Sequence, residues 1–469
     1  MPKPQIIKPR AIGISSVRMG PFFTVASVEL GNTTTKCILV TTNLKTAEIF
    51  EIGKEVRMTR DVRPSKPDER VFGKTLVGVE LTQESVSEFI ADIITSTLSQ
   101  SHVDIKKDLH FVVRSTGVTA GFAHPSEIDA MVKALADGCL KAGIPPKKMT
   151  AALSPENLPP GIQDYTWLKK VYFDGAVASS IPPANTEVVA NEMEGELVTA
   201  GLKGAVKGTR IDFRNPAITL DFGTTLAGRI TDDGFPYANT IGSFAGIAGA
   251  IPDAIARGTG LVDTATGCIM DIKIPTGVRS TRFNHDLVED ANKLITVEPV
   301  KKGETRVGGV PVDTKAAEES NVILIGVDAG KNGSKLPELG KVGNAVYEED
   351  GIPSLLNLID AIQASIVQRI IDVVEVEGLI RKESSLGLTG RAITSGSKPA
   401  LINSNLRLSN GSYWTADHQL VFVEDGLAMG AAVAARCMNS LGTTRNPMGG
   451  RKGDGCIMNE RIKLQKNHR

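Results

Sequence analysis

Residues 28–40 read Val-Glu-Leu-Gly-Asn-Thr-Thr-Thr-Lys-Cys-Ile-Leu-Val, and residues 220–230 read Leu-Asp-Phe-Gly-Thr-Thr-Leu-Ala-Gly-Arg-Ile. Each stretch has an acidic residue, an apolar residue, a glycine and then hydroxyl residues, between runs of strand-forming residues. The two acids, Glu29 and Asp221, are about one domain length apart. This internal repeat predicts two strand–turn–strand units, one in each half of the chain.

The residues of these turns suit the binding of phosphate groups. Glycine lets the backbone approach a ligand closely, and exposed N–H groups in a turn can donate to phosphate oxygens. Acids beside phosphates require a cation between them, and Mg²⁺ is held by one or two carboxylates together with water and phosphate oxygens. The repeat therefore predicts a nucleotide held by two facing turns, with Glu29 and Asp221 as magnesium ligands.

Other interpretations of the same residues stay open. A single Asp-x-Gly-Thr-Thr turn is more often structural than functional, and only its repetition favours phosphate binding. Lys36 either neutralises a phosphate or points to solvent. Phe72-Gly73-Lys74-Thr75 ends like a phosphate-binding loop, but Asp68 stands where the first glycine is required, which indicates a solvated loop.

Composition excludes several classes of protein. The chain has 469 residues, 53 basic and 53 acidic, and is 41% hydrophobic but only 4% aromatic. A balanced charge and few aromatics argue against nucleic acid as a partner. The five cysteines form no CxxC pair, which favours a reducing cytoplasm. No apolar run has the length of a membrane span, so no membrane is expected as a partner.

Periodicity along the chain predicts an α/β protein. Apolar residues keep helical spacing over 82–99, 354–377 and 427–441, and β-rich runs occur at 25–28, 36–40, 47–52, 110–113, 218–220 and 386–388. Further helices are predicted over 126–143 and 187–202, and a proline-rich connection over 151–185. Residues 264–350 are interpreted as inserted loops and short strands, and the tail from 442 as a mobile basic arm.

The ordered motifs resemble the superfamily of actin, sugar kinases and heat-shock chaperone ATPases. That resemblance covers about residues 24–440 and implies a two-lobed fold of duplicated ribonuclease-H-like domains with a central nucleotide cleft. The implied domains are an N-terminal extension (1–23), a first lobe (24–185) closed by helix 427–441, a second lobe (186–426) and the tail (442–469). The implied ligands are ATP and Mg²⁺, with Asp221 both a metal ligand and a catalytic residue.

The resemblance also assigns residues to the nucleotide. Gly387-Leu388-Thr389-Gly390-Arg391-Ala392 resembles the adenosine motif, and Glu192, after Asn191, resembles the chaperone residue that lies near the attacking water. The alternative interpretation is that Glu192, Glu194 and Glu196 form the solvent-facing surface of a helix. The residues assigned to nucleotide binding are Gly31, Asn32, Thr33, Thr34, Lys36, Gly223, Thr224, Thr225, Gly390 and Arg391.

Within the superfamily, the chain is similar to activator ATPases of radical dehydratases and to reductive activators of corrinoid proteins. Its overall sequence most resembles the methanogenesis marker 14 family of methanogenic archaea. Two departures concern binding: Glu29 replaces the usual Asp, and Arg391 replaces a usual glycine, where it either stacks on adenine or fills the pocket. Residues 231–267 have no cysteine, so an iron–sulfur cluster of its own is not expected.

Three functions follow as hypotheses. The leading one is an ATPase that acts as a conformational switch on a protein client, such as a methanogenesis enzyme that needs activation or assembly. The second is a metabolite kinase, for which the sequence identifies no base carboxylate. The third is a nucleotide-binding scaffold without hydrolysis, suggested by Glu29 and Arg391. The oligomeric state does not follow from the sequence.

Overall fold

A computed structural model describes residues 4, 6–116, 125–149, 176–178, 192–234, 238–273 and 285–441. It is a mixed α/β structure. The strands, in chain order, are β1 (Ile6–Ile7), β2 (Arg10–Ala11), β3 (Phe22–Leu30), β4 (Thr34–Asn43), β5 (Ile49–Met58), β6 (Val71–Lys74), β7 (Glu80–Thr82), β8 (Phe111–Thr116), β9 (Ala176–Ala178), β10 (Ala217–Phe222), β11 (Leu226–Thr231), β12 (Thr240–Gly246), β13 (Thr296–Pro299), β14 (Arg306–Val307), β15 (Val310–Pro311), β16 (Ile323–Asp328), β17 (Ser385–Thr389) and β18 (Gln419–Val423).

Helices separate these strands. The α-helices are α1 (Ile14–Met19), α2 (Gln83–Gln100), α3 (Pro125–Lys141), α4 (Glu192–Ala205), α5 (Ala250–Gly258), α6 (His285–Leu294), α7 (Thr314–Glu319), α8 (Leu336–Val376), α9 (Arg391–Thr394), α10 (Lys398–Asn405), α11 (Trp414–Asp417) and α12 (Gly426–Leu441).

The described strands form two large sheets that contain the same five-stranded unit. The first sheet has the order β2-β5-β4-β3-β8-β9, and the second has the order β1-β18-β17-β10-β11-β12-β16-β13. In each sheet one hairpin strand, β3 or β10, pairs antiparallel with the next strand and parallel with a later one. The units β5-β4-β3-β8-β9 and β12-β11-β10-β17-β18 also agree in their outer pairings. The prediction of two similar strand–turn–strand units is confirmed.

Two helices lie between the sheets and join them. Helices α4 and α12 supply Leu197, Leu202, Leu427 and Ala431 to a core that also contains Val25 and Val40 of the first sheet and Val421 and Val423 of the second. The helices approach closely because their contact is made of glycines. A Cβ atom on Gly201 would lie 1.8 Å from the Gly426 carbonyl oxygen, and one on Gly430 would lie 1.9 Å from that of Leu197.

The N-terminal residues belong to both sheets. Strand β1 pairs with β18 in parallel, with Ile6 opposite Phe422. Strand β2 pairs with β5, with Arg10 opposite Phe50. The first residues of the chain therefore add an edge strand to each sheet and tie the two together.

The structure differs from the sequence interpretation over 264–350. It has short strands, β13 to β16, as predicted, and Ile325 and Val327 of β16 are buried in the second sheet. It also has helices α6 and α7 and the first part of α8, which were not predicted. The first part of α8 was hidden by a break at Gly351, where φ is +74° and the chain leaves the helical conformation before Pro353. The predicted connection over 151–185, apart from 176–178, and the basic tail lie outside the described residues.

Helix α8 is the one described helix that is long and apolar enough to cross a membrane. Of its most apolar window, 67% is buried inside the protein. Its side chains Leu355, Ile362, Ile366 and Ile370 belong to the largest apolar core, beneath the second sheet. The length of this helix is thus explained by packing within the protein.

Candidate functional site

The two repeated hairpin turns touch each other. The Oγ1 atoms of Thr33, in the β3–β4 turn, and Thr224, in the β10–β11 turn, are 2.7 Å apart. The Thr33 hydroxyl also donates to Oδ2 of Asp253 over 3.3 Å. The repeat seen in the sequence therefore corresponds to a single place in the structure, between the two sheets.

Backbone contacts fix the first turn. The Gly31 N–H donates to the Thr34 carbonyl over 3.1 Å, and a Cβ atom on Gly31 would lie 2.6 Å from that oxygen. Thr59, which follows β5, supports the turn with its hydroxyl on the Gly31 carbonyl and its N–H on the Thr33 carbonyl. Glycine is required at position 31 because a side chain would clash with the closing residue of the turn.

The second turn is held by the segment that leads into α5. The Gly249 N–H donates to the Gly223 carbonyl over 2.7 Å, and the N–H groups of Ala248 and Ala250 donate to the Thr224 carbonyl. Gly223 is exposed and Thr224 partly exposed, whereas Thr225 is buried. Gly223 and Thr224 are therefore the residues of this turn that can reach a ligand.

Lys36 is surrounded by carboxylates just behind the turns. Its Nζ atom lies 3.2 Å from Oε2 of Glu29. Burial lowers the pKa of Lys36, but the charges of Glu29, Asp425 and Asp221 outweigh that effect and raise it, so this lysine stays charged. Between the two open interpretations of Lys36, the structure favours a cation that faces the site, since Lys36 pairs with Glu29 near the end of β3 and also interacts with Asp425 and Asp221.

Asp221, the last residue but one of β10, lies within this group of charges. It is 8% exposed, and burial together with the nearby Glu29 raises its pKa to about 7. Burial disfavours the charged form of this carboxyl, and the neighbouring carboxylate of Glu29 adds to that effect. A cation bound beside Asp221 would stabilise its charged form.

Glu194 of α4 is a functional candidate that the sequence assigned to a solvent-facing surface. That interpretation is wrong for Glu194, which is 8% exposed and whose Oε2 atom is buried with no hydrogen-bond partner. Burial, followed by the charges of Asp221 and Glu29, raises its pKa well above the usual value. Glu196 forms an ion pair with Arg229. Glu192 begins α4, but its side chain lies outside the described atoms.

Asp253 is a second residue that the sequence did not identify. It lies in the first turn of α5, is 6% exposed, and accepts from Thr33 and from the N–H of Ile269. Burial raises its pKa to about 6. The available signal was its place shortly after the second repeated hairpin, but nothing in its local sequence indicates that it turns toward Thr33.

Gly390 and Arg391 of the proposed adenosine motif are close to the charge cluster. Gly390 has φ +92°, and a Cβ atom there would lie 2.5 Å from Oδ1 of Asp221. Arg391 is exposed, and its Nη1 atom lies 3.4 Å from Sδ of Met270. Only glycine suits position 390, because its conformation and its contact with Asp221 both exclude a side chain.

An ion pair joins the two sides of the site. Arg60, next to the residue that supports the first turn, makes two contacts of 2.6 Å with the carboxylate of Asp271. Its Nη1 also donates to the Thr266 carbonyl. Thr266 and Asp271 come after all the described strands of the first sheet and belong to the second half of the chain. The ion pair therefore joins the end of β5 to that second half.

The donor set suits Mg²⁺ that is shared with a ligand. Among the described residues, no group of three or more His, Cys, Asp or Glu side chains is placed to hold a metal ion. Magnesium commonly uses one or two carboxylates and completes its shell with water and phosphate oxygens. The unpartnered Glu194 oxygen and the raised pKa of Asp221 fit a site in which a cation arrives together with an anionic ligand.

Comparison with known proteins gives a family match over almost the whole chain. The profile of the family described as "Uncharacterized protein conserved in archaea (DUF2114)" matches residues 22–465. An uncharacterized protein of Methanothermobacter thermautotrophicus is 50% identical, over 99% of this chain and 90% of the relative. One from Methanocaldococcus jannaschii is 48% identical, over 99% of this chain and 96% of the relative.

Solved structures are similar only at low identity. A ROK family glucokinase from Streptomyces griseus, in complex with glucose and AMPPNP, gives a TM-score of 0.36 at 14% identity, over 88% of this chain and 99% of the glucokinase. A reductive activator for a corrinoid, iron–sulfur protein gives 0.32 at 11% identity, over 89% of this chain and 60% of the activator. The Aquifex aeolicus PPX-GPPA enzyme gives 0.25 at 11% identity, over 47% and 52%. The fold assignment rests on the strand order within the chain.

Proposed function

This chain belongs to the archaeal family DUF2114, and we propose that it is a magnesium-dependent ATPase that acts as a conformational switch. In this proposal the two sheets are the centres of two actin-like lobes, and the nucleotide binds in the cleft between them. The observation that carries the proposal is the contact of Thr33 with Thr224, because it brings both repeated turns to one place.

The turns would bind the phosphates. Thr33, Thr34 and Thr224 offer hydroxyl groups, and Gly31 and Gly223 allow the backbone N–H groups to approach. Thr225, which the sequence also assigned to the phosphates, is buried and does not reach them. Lys36 would add a positive charge behind the first turn, and its raised pKa keeps that charge in place near neutral pH. Asn32, Gly390 and Arg391 complete the set assigned to the nucleotide, with Arg391 at its adenosine end.

Glu29 and Asp221 would hold the metal ion. Both are carboxylates at strand ends beside Lys36, and Asp221 is raised in pKa by burial and by Glu29, so a cation between them relieves their repulsion. Mg²⁺ bound with ATP would neutralise phosphate charge during transfer. Glu29 is one methylene longer than aspartate, which gives it reach to the ion directly or through water.

A carboxylate of α4 would orient the attacking water. Glu192 would fill this role, together with Glu194, whose Oε2 atom is buried without a partner and which interacts with the charges of Asp221 and Glu29. A carboxylate within hydrogen-bond reach of the attacking water would accept its proton. Hydrolysis would then change how the phosphates bridge the two lobes, and the resulting movement would act on a client.

The biological setting is proposed from resemblance. The chain resembles the methanogenesis marker 14 family, and its two curated relatives come from archaea. We place the protein in the cytoplasm, with a methanogenesis enzyme that requires activation or assembly as its client.

Calorimetric titration with Mg-ATP tests the proposal. The wild type should bind Mg-ATP at a single site. The double variant T33V/T224V should bind Mg-ATP at least tenfold more weakly, because both hydroxyl donors are gone. T46V, in a turn of the first sheet away from the site, is the matched control. Absence of Mg-ATP binding in well-folded wild type would refute the proposal, and binding with no release of phosphate would favour the non-hydrolysing scaffold.

Asp253 supports a metabolite kinase as a second candidate. Such an enzyme needs a base beside the transferred phosphate, and Asp253 is a buried carboxyl with a pKa of about 6 that contacts the first turn. A screen of hydroxyl and carboxyl metabolites with Mg-ATP distinguishes the two. Phosphorylated product that exceeds free phosphate, and that is lost in D253N, would favour the kinase.

A further inference from the structure

A short turn of the first half of the chain reaches across to the second sheet. Residues 75–79, here called the strap turn, connect β6 to β7. The turn is closed by the Thr75 N–H on the Val79 carbonyl, the Gly78 N–H on the Thr75 carbonyl, and the Val79 N–H on the Thr75 hydroxyl. The interpretation of Phe72–Thr75 as a solvated loop is wrong for Phe72, Gly73 and Thr75, which are buried.

The tip of the strap turn packs against the second half of the chain. Leu76 lies against a small apolar cluster formed by β12, β15, α7 and β16. The buried members of this cluster are Ala245, Val310, Ala316, Ala317, Val322 and Leu324. Since β12 and β16 are strands of the second sheet, Leu76 is a contact between the two halves of the molecule that is separate from the hairpin turns.

The same residue holds the first hairpin turn. The Leu76 N–H donates to Oδ1 of Asn32 over 2.9 Å, and Asn32 is buried. The next residue, Thr33, contacts Thr224 and Asp253. Two consecutive residues of the turn are therefore held by different partners, Asn32 by the strap turn and Thr33 by the second hairpin.

A phosphate oxygen that bridges Thr33 and Thr224 must separate their hydroxyls. One phosphate oxygen that accepts from two hydroxyls at about 2.8 Å holds those hydroxyls roughly 4.5 Å apart. The observed separation of Thr33 and Thr224 is 2.7 Å. Their contact must therefore open, and any shift of the first turn that opens it also moves Asn32 away from the Leu76 N–H.

We propose that Leu76 is a positioning residue and that the strap turn opposes separation of the hairpins, so that it sets the affinity of the site for a polyphosphate. The inference rests on the proposed function for the identity of the ligand. The contacts from Leu76 to Asn32 and to the apolar cluster are independent of that ligand. Weakening the apolar contact should make the first turn easier to displace.

The test compares L76A with V77A, a truncation of the next residue, in the full-length protein. Thermal unfolding first establishes that both variants are folded. Without nucleotide, amide hydrogen exchange over residues 30–35 and 75–79 should be about fivefold faster in L76A, the size expected when part of a leucine side chain loses its apolar contact. V77A should stay within about twofold of wild type, since a smaller loss of apolar area is involved.

Binding kinetics give the second readout. With Mg²⁺ and a fluorescent ATP analogue in stopped flow, L76A should associate about fivefold faster than wild type, in line with the exchange result, and V77A should match wild type. Unchanged exchange in L76A, or an equal effect of V77A, would overturn the positioning role. If exchange is faster in L76A but wild type binds no analogue, the effect of Leu76 on polyphosphate affinity and the proposed function are both overturned. The contact of Leu76 with the first turn is then still supported.

Discussion

Lys36 is the residue on which the charge balance of the site depends. It lies among Glu29, Asp221 and Asp425, and the interaction with Glu29 is a contact of 3.2 Å. Removal of the lysine leaves Glu29 without its ion-pair partner and removes the positive charge that lowers the pKa of Asp221. We expect K36M to lower the free energy of unfolding by roughly 3 kcal/mol, the lower end of the range for breaking a buried pair. Urea denaturation at pH 7 without Mg²⁺ measures it.

The control is the double variant K36M/E29Q. It removes one of the acids that the lysine compensates, so it should recover part of the lost stability. If K36M unfolds at the same urea concentration as wild type, Lys36 does not neutralise these carboxylates.

Asp221 makes stability depend on pH in a direction opposite to that of most carboxylates. Its pKa in the folded protein is about 7, above its value in the unfolded chain, so the folded state binds the proton more tightly. This contribution is complete below about pH 4, where both states are protonated, and is lost as pH rises to about 7. With EDTA present, D221N should therefore lose less stability than wild type between pH 5 and 7.

Urea unfolding curves at several pH values measure the difference in unfolding free energy between wild type and D221N. For one proton, this difference changes by at most about 1.4 kcal/mol per pH unit. D61N, at an acid outside the site, provides the control. Parallel stability curves for wild type and D221N would contradict the raised pKa.

At the scale of elements, the glycine contact between α4 and α12 explains how the two sheets share one core. G201A places a methyl group 1.8 Å from a backbone oxygen of α12, which cannot move without displacing that helix. We expect a loss of about 2 kcal/mol in unfolding free energy, within the range for overpacking. Thermal or urea unfolding measures it.

Gly204 of the same helix is the matched comparison. A methyl group there meets side-chain atoms of Ile49 and Val433, at 2.9 and 3.1 Å, which can adjust. The gain in helix propensity, about 0.5–1 kcal/mol, offsets that adjustment, so G204A should be near neutral. Equal losses in the two variants would mean that the glycine contact is not what holds the helices together.

The sequence predicted the elements whose pattern is local. The strands of both hairpins and helices α2, α3 and α12 lie close to their predicted positions, because apolar spacing and turn residues define them. Short strands were predicted over 264–350 but β16 was not placed, since a buried strand has no alternation. The first part of α8 was missed because Gly351 interrupts the helical period.

In the candidate site too, residues with a local sequence pattern could be predicted, and residues placed by packing could not. Glu29, Lys36 and Asp221 could be identified because each lies in or next to a repeated turn. Glu194 and Asp253 could not, because their burial depends on how α4 and α5 pack against the hairpins. The contact of Leu76 with Asn32 joins residues from different elements and has no sequence pattern at all.

For the whole molecule, the pair of Arg60 and Asp271 is the clearest polar connection described between its halves. The Arg60 guanidinium holds the pKa of Asp271 below its usual value. Both side chains are about a quarter exposed, so we expect a coupling energy of about 1 kcal/mol in a double-mutant cycle of R60M and D271N.

The coupling should depend on pH in the usual direction for a paired acid. Because the folded pKa of Asp271 is lowered, its contribution is present above the unfolded pKa and is lost as pH falls through the folded one. Cycles at pH 7 and pH 3 should differ, with the smaller coupling at pH 3. A coupling near zero at pH 7 would mean that other contacts hold the halves together.

In the proposed function, two matching turns from different halves of the chain hold the phosphates of one nucleotide. A crystal structure of the protein with Mg²⁺ and a non-hydrolysable ATP analogue tests this most directly. We predict that the phosphates lie between Gly31–Thr34 and Gly223–Thr224, with the Thr33 and Thr224 hydroxyls moved apart and the metal beside Asp221. An analogue bound elsewhere, or crystals in which saturating analogue leaves the two hydroxyls in contact, would contradict the account.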